Sequence, residues 1–148
     1  MSGITELDLL LKTMSPVLLE KQYIIISTQE NFEEIIKYNP IAIIQEKEGK
    51  TIIIEKNIAD NNNIKYKEIF KCITLNVNSS LSAIGFTAVI SNELTKNNIS
   101  ANVIAGYYHD HLLVNEVNAD DALKVLLTLE KKVANNCFNL TRLCHDSC

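Results

Sequence analysis

The sequence predicts an α+β protein, with helices stacked on antiparallel sheet, and three observations carry that prediction. Ile73, Leu75 and Val77 alternate with Thr74, Asn76 and Asn78, the period of a strand with one buried face. Phe86, Val89, Ile90 and Leu94 instead recur at helical spacing, one apolar stripe on a mostly polar segment. The order strand, helix, strand, strand then appears in both halves of the chain, which favours segregated layers and a pair of similar half-units. The halves share element order without convincing residue identity.

Composition narrows the class. A chain of 148 residues with 47% hydrophobic and 22% charged side chains is normally globular, one compact domain or two very small ones around a shared core. Its longest apolar runs, such as 23–26 and 52–54, are far too short to span a bilayer, so no membrane association is expected. The amino terminus carries Glu6 and Asp8 and no basic region followed by an apolar one, which makes the cytoplasm the expected compartment. Net charge is −4, Arg142 is the one arginine, and lysines alternate with glutamates over 45–50. That is a solvated surface without the basic stripe nucleic-acid binding needs.

Taken in order, Leu7, Leu10, Leu11 and Met14 predict an amino-terminal helix capped by Thr5 and stopped by Ser15-Pro16. A strand follows from Val17, clearest over 23–26. Phe32, Ile35 and Ile36 predict a short helix over 31–38, ended at Asn39-Pro40. The runs 41–45 and 51–55 flank a polar turn with Gly49 and read as a hairpin. Asp60-Asn61-Asn62-Asn63 reads as a loop and as the best internal boundary. A strand over 69–77 then leads through a Ser-bearing loop into the helix of Phe86, which closes at Asn97-Asn98, where asparagine accepts a left-handed cap. Strands over 101–108 and 111–114 join near His109-Asp110. Asn118 caps a last helix, with Asp120 and Asp121 in its first turn and Ala122, Leu126, Leu129 and Val133 on its buried face. The expected division is 1–66, 67–134 and a flexible Cys-bearing tail over 135–148.

Chemistry concentrates in the second half. The loop at Asn78, Ser79, Ser80, Leu81 and Ser82 leads into a helix start, whose free N–H groups and dipole attract carboxylate or phosphate. Hydroxyls of Ser79 and Ser80 would add hydrogen bonds, and Gly85 would permit close approach. The alternative is that Ser80 or Ser82 caps the helix and Gly85 serves packing. Gly106, inside a predicted strand, either exposes peptide groups to a ligand or marks a bulge with Tyr107 and Tyr108 on opposite faces.

His109, Asp110 and His111 suggest a metal, since imidazole and carboxylate bind zinc or iron. On a strand, however, Asp110 points away from both histidines, and the third histidine, His145, lies far along the chain. Ser79 or Ser80 as a nucleophile with His109 as base lacks the G-x-S-x-G elbow. Cys137, Cys144, His145 and Cys148 lack the paired spacing of structural zinc sites. Cys72 reads as a small buried hydrophobe. No catalytic residue, metal or cofactor is assigned.

The run from 69 to 114 nevertheless carries a recognisable pattern. Ser79-Ser80-Leu81, Ala83 and Gly85-Phe86-Thr87-Ala88 are followed by Ile99, then Asn102-Val103-Ile104-Ala105-Gly106-Tyr107-Tyr108-His109-Asp110-His111 and Val114. With Gly3-Ile4-Thr5, Leu7 and Met14-Ser15-Pro16-Val17-Leu18 at the start, the chain resembles small stand-alone proteins built from paired ACT-like domains. These are similar to aspartokinase regulatory domains and to cytosolic arginine sensors. The resemblance implies two βαββαβ ferredoxin-like units and a small-molecule ligand, an amino acid, held at a domain or subunit interface.

Transferred to this chain, the site lies between loop 78–85 and strand 102–107. Asn78, Ser79, Ser80, Leu81, Gly85, Phe86, Asn102, Val103, Ala105 and Gly106 line it, with Tyr107, His109 and Asp110 at its edge. The polar Asn76 and Asn78 and the Cys-bearing tail depart from the family's pattern. The expected function is non-catalytic, allosteric regulation by a homodimer, with a regulated partner protein to read it. The alternative is a protein–protein interaction module without a small ligand.

Overall fold

The computed structural model describes residues 6–145, with side chains to residue 135. Helix α1 (Leu7–Lys12) precedes the long strand β1 (Pro16–Thr28), and Ser15 turns the chain between them at φ 41°. Helix α2 (Phe32–Ile36), the hairpin β2 (Ala42–Gln45) and β3 (Lys50–Glu55), and helix α3 (Lys56–Asn61) complete the first unit. The second unit runs β4 (Phe70–Leu75), α4 (Phe86–Lys96), β5 (Ala101–Ala105), β6 (Asp110–Asn115) and α5 (Ala119–His145), with a 3₁₀ turn at Glu116–Asn118 before α5.

All six strands form one antiparallel sheet in the order β2-β3-β1-β4-β6-β5. Each unit by itself is βαββα and one strand short of a split βαββαβ sandwich. The missing strand is the other unit's first: β4 completes β2-β3-β1, and β1 completes β5-β6-β4. The expected pair of ferredoxin-like units is present, fused through a single sheet. Register at the seam pairs Leu18 with Ile73 and, after a bulge, Gln22 with Lys71 and Tyr23 with Phe70.

Residues paired across strands share a face, so the register settles where the layers sit. Leu18 and Ile73 face a core with Leu10, Met14, Leu94, Leu112 and Leu126, contributed by α1, α4, α5 and the sheet. Gln22, opposite Lys71, puts Ile24 on that same face, where Ile35, Ile52, Ile54 and Ala59 pack with α2 and α3. All five helices therefore lie on one side. The other side carries a cluster made wholly of strand residues, with Tyr23, Ile53, Cys72 and Leu113 at its centre. Cys72 is 1% exposed there, as a small buried hydrophobe should be, and burial pushes its thiol pKa up.

Three elements differ from the sequence reading. Asp60 and Asn61 belong to α3, not to a loop: Lys56 reaches Asp60 one turn on at 2.7 Å, and Ala59 is buried against the sheet. Six residues are too few to show a helical period. Strand β5 stops at Ala105, so Tyr107 and Tyr108 lie in the turn, their rings edge to face 5.0 Å apart. The backbone of α5 continues to His145, well past Asn135, where a tail was expected. Thr5, expected as a cap, and Cys148 lie outside the described residues, as do the side chains of Cys137, Cys144 and His145; Glu6 occupies the cap position of α1 and makes no side-chain cap hydrogen bond. Asn98 adopts the expected left-handed conformation at φ 56°. Among the described residues no helix is long and apolar enough to cross a membrane.

Candidate ligand site

Strand β4 ends at Leu75, paired with Asp110 at the start of β6, and Ala105 at the end of β5 pairs with Asp110 from the other side. The Ser-bearing loop and the β5–β6 turn thus leave the sheet at the same end. They touch. Ser79 Oγ donates to Asp110 Oδ2 at 3.2 Å, and His109 Nδ1 lies 3.4 Å from the Val77 carbonyl oxygen. Asp110 is only 7% exposed, the one buried carboxylate among the described residues. A hydrogen bond to a charged acceptor contributes about 1.5–3 kcal/mol, and removing the donor leaves the carboxylate poorly solvated.

Helix α4 begins at the end of the same loop, at Phe86. Its N-cap is Gly85, at φ 90°, and no side chain caps the first-turn amides. A positive φ explains the glycine. Neither serine acts as the cap: Ser80 Oγ instead accepts the Ser82 N–H at 3.2 Å within the loop. The first turn of α4 contains no acidic residue to answer its dipole.

Gly106 has a tighter constraint. Its N–H donates to the His109 carbonyl at 3.1 Å across the turn, and a β-carbon on it would overlap that same oxygen. The close approach is by the chain's own backbone, not by a ligand.

The other predicted residues divide. Leu81 and Tyr107 are 71% and 72% exposed at the same end of the molecule, with Asn78 half-buried between sheet and loop. The side chain of Phe86 fills the helix-side core. Val103 and Ala105 follow β5 toward the turn. Asn102 sits three strand residues before Ala105, about 10 Å away, and lines a different cleft together with Ser27, Phe70 and Asn115. No sequence signal marks that cleft, because it is created by where strand pairing stops.

Asp110 and His111 point to opposite faces of β6, which separates the candidate metal ligands. Among the described residues no group of three His, Cys, Asp or Glu side chains gathers to hold a metal. His111 instead turns to the strand-only face, where its Nδ1 lies 3.0 Å from Thr74 Oγ1. Burial, and next the neighbouring His109, hold its pKa below the ordinary 6.5, with Asp110 acting the other way.

With this geometry described, two models of the ACT domain match the chain, one over residues 2–71 and the other over residues 68–128. The chain belongs to the ACT-domain family. A Vibrio cholerae protein of unknown function, described as a possible transport protein, is 41% identical; the match covers 81% of this chain and 92% of that one, with a TM-score of 0.75. The regulatory subunit of aspartate kinase from Thermus flavus matches at 10% identity and TM-score 0.57, over 77% of this chain and 95% of its own. Aspartate kinase from Clostridium acetobutylicum gives 12% and 0.57, over 77% of this chain and 34% of that one. At such identities the two kinases share the fold. No curated protein matches the chain.

Two outcomes follow from the local geometry. Gly106→Ala should destabilise the protein by about 1–3 kcal/mol, read from urea unfolding, because the His109 carbonyl must move. His111 binds a proton more readily in the unfolded chain, so stability should fall as pH drops below about 6.5, the ordinary value its folded pKa undercuts. The urea midpoint should decline between pH 7.5 and 5.5, and His111→Asn should flatten that decline; an unchanged decline would contradict the assignment.

Proposed function

We propose that this ACT-family chain is a non-catalytic regulatory protein. Its second unit binds an amino acid between the Ser79–Ser80 loop and the Gly106 turn, and a homodimer transmits occupancy to a partner protein. The observation that carries the reading is the buried Asp110 carboxylate, held by Ser79 in the loop that leads into the uncapped start of α4. A zwitterion needs opposite charges a few ångströms apart. Asp110 offers the anion for its ammonium group, and the first-turn amides of α4 offer donors for its carboxylate. The regulatory-subunit fold of the aspartate kinases supports the same reading.

The exposed apolar residues at this end favour a subunit contact over the site. Leu81, Ile84, Tyr107 and Tyr108 are 64–87% exposed on the two loops that meet through Ser79 and Asp110. Large apolar side chains grouped in this way mark an interaction surface more often than a free one. The same observation favours the second reading, a module that recruits a protein partner without a small ligand.

Thermal unfolding of ligand-free protein with each of the twenty amino acids separates these. At a hundredfold excess over Kd, binding adds about 2.7 kcal/mol, which raises Tm by roughly 5–10 °C in a chain of this size. One or a few amino acids should give such a rise, and Ser79→Ala and Asp110→Asn should remove it while the far-ultraviolet spectrum is retained. Flat curves for all twenty overturn the amino-acid reading and leave the protein-recruiting one.

A further inference from the structure

The seam between the two units opens into a notch at the end of the sheet away from Asp110. Strands β1 and β4 pair only as far as Tyr23 and Phe70, whereas β1 continues along β3 to Thr28. On the other flank β6 ends at Asn115, opposite Phe70, and β5 begins at Ala101. The sheet therefore forks. The fork holds a cleft of about 820 Å³, walled by Ile25 and Ser27 from the first unit and by Phe70, Ser100, Asn102 and Asn115 from the second. Its volume is within the range of about 300–1,000 Å³ typical of small-molecule sites. Along β4 it lies about 17 Å from the Ser79–Asp110 pair, five strand steps away.

Its lining has a definite chemistry. Phe70 supplies a half-buried aromatic wall and Ile25 an aliphatic one. Asn115 Oδ1 is occupied by the Val117 N–H at 3.2 Å, which leaves its amide nitrogen to donate. Asn102, Ser27 and Ser100 add further uncharged donors and acceptors. The segment joining the units crosses the mouth with Lys65, Lys67 and Glu68, a net charge of +1 on a chain of net −4. Neither lysine enters an ion pair among the described residues. Tyr66 between them is fixed: its hydroxyl donates to Asp60 Oδ1 at 2.8 Å, and Lys56 Nζ lies 5.8 Å from its ring centroid. The two ammonium groups are thus delivered to the mouth by an anchored linker.

We propose that this notch is a second ligand site, for a small molecule that combines a planar ring with an anionic group. The ring lies against Phe70 with its polar edge on Asn102 and Asn115, and the anion meets Lys65 and Lys67. Such a ligand touches both units and the linker that joins them.

Amide NMR spectra of the full chain titrated with adenosine monophosphate and, separately, with indole-3-acetate test this. Saturable shifts should centre on Ser27, Phe70, Asn102 and Asn115. Response to the nucleotide alone or to the aromatic acid alone both uphold the site and identify the anion as phosphate or carboxylate. The double variant Lys65→Glu, Lys67→Glu, exposed and remote from the core, should weaken binding about tenfold or more, a loss near 1.4 kcal/mol. Ser100→Trp should block it. Silence toward both probes up to about 10 mM, weaker than the usual metabolite range, overturns the proposal. So do shifts centred on Ser79 and Asp110, or binding undiminished in the double variant. Because the readout is by residue, failure here leaves the amino-acid reading standing, and the reverse holds equally.

Discussion

Neither half of this protein owns enough strands for a closed sandwich, and the pairing of β1 with β4 resolves that for both at once. A β-sheet edge presents unpaired N–H and C=O groups that invite aggregation or pairing with another chain. Here the two vulnerable edges face each other. Joining them buries Tyr23, Cys72 and Leu113 on one side and Ile24, Ile73 and Leu112 on the other. The resulting sheet leaves only β2 and β5 as edges, four and five residues long. Short edges are the less hazardous kind.

The seam also decides where function can reside. At one end β4, β5 and β6 finish together, and the loops that leave them meet through Ser79 and Asp110. At the other end β1 and β4 part company, and the gap becomes the notch beneath Lys65 and Lys67. Both places are consequences of strand length and register. One belongs to the second unit alone, the other to the junction of the two. A single element, β4, runs between the two places.

Much of this was legible in the residues, and the exceptions share a cause. Local signals held where packing and propensity agree: Leu10, Leu11 and Met14 bury one helix face, Phe86, Ile90 and Leu94 another, and the Gly49 turn closes its hairpin. The paired ACT architecture was legible from a specific run of residues, 102–111, rather than from periodicity. Helix α3 was hidden because its polar face, Asn57, Asp60 and Asn61, is the composition of a loop. Gly106 gave the right alarm for a different reason, a turn closed by its own backbone. Asn102 carried the family pattern yet lies against the notch, since side-chain position along a strand depends on partners that one-dimensional spacing does not encode.

If the seam is the element on which both units depend, it must open only when the whole protein unfolds. Native-state amide exchange measures this directly, residue by residue. The account predicts that slowly exchanging amides of β1 and β4, such as those of Leu18, Tyr23 and Ile73, open with the same free energy as global unfolding and with the same denaturant dependence. Seam amides that exchange through a smaller opening, while β3 and β6 stay protected within separately stable halves, would contradict it.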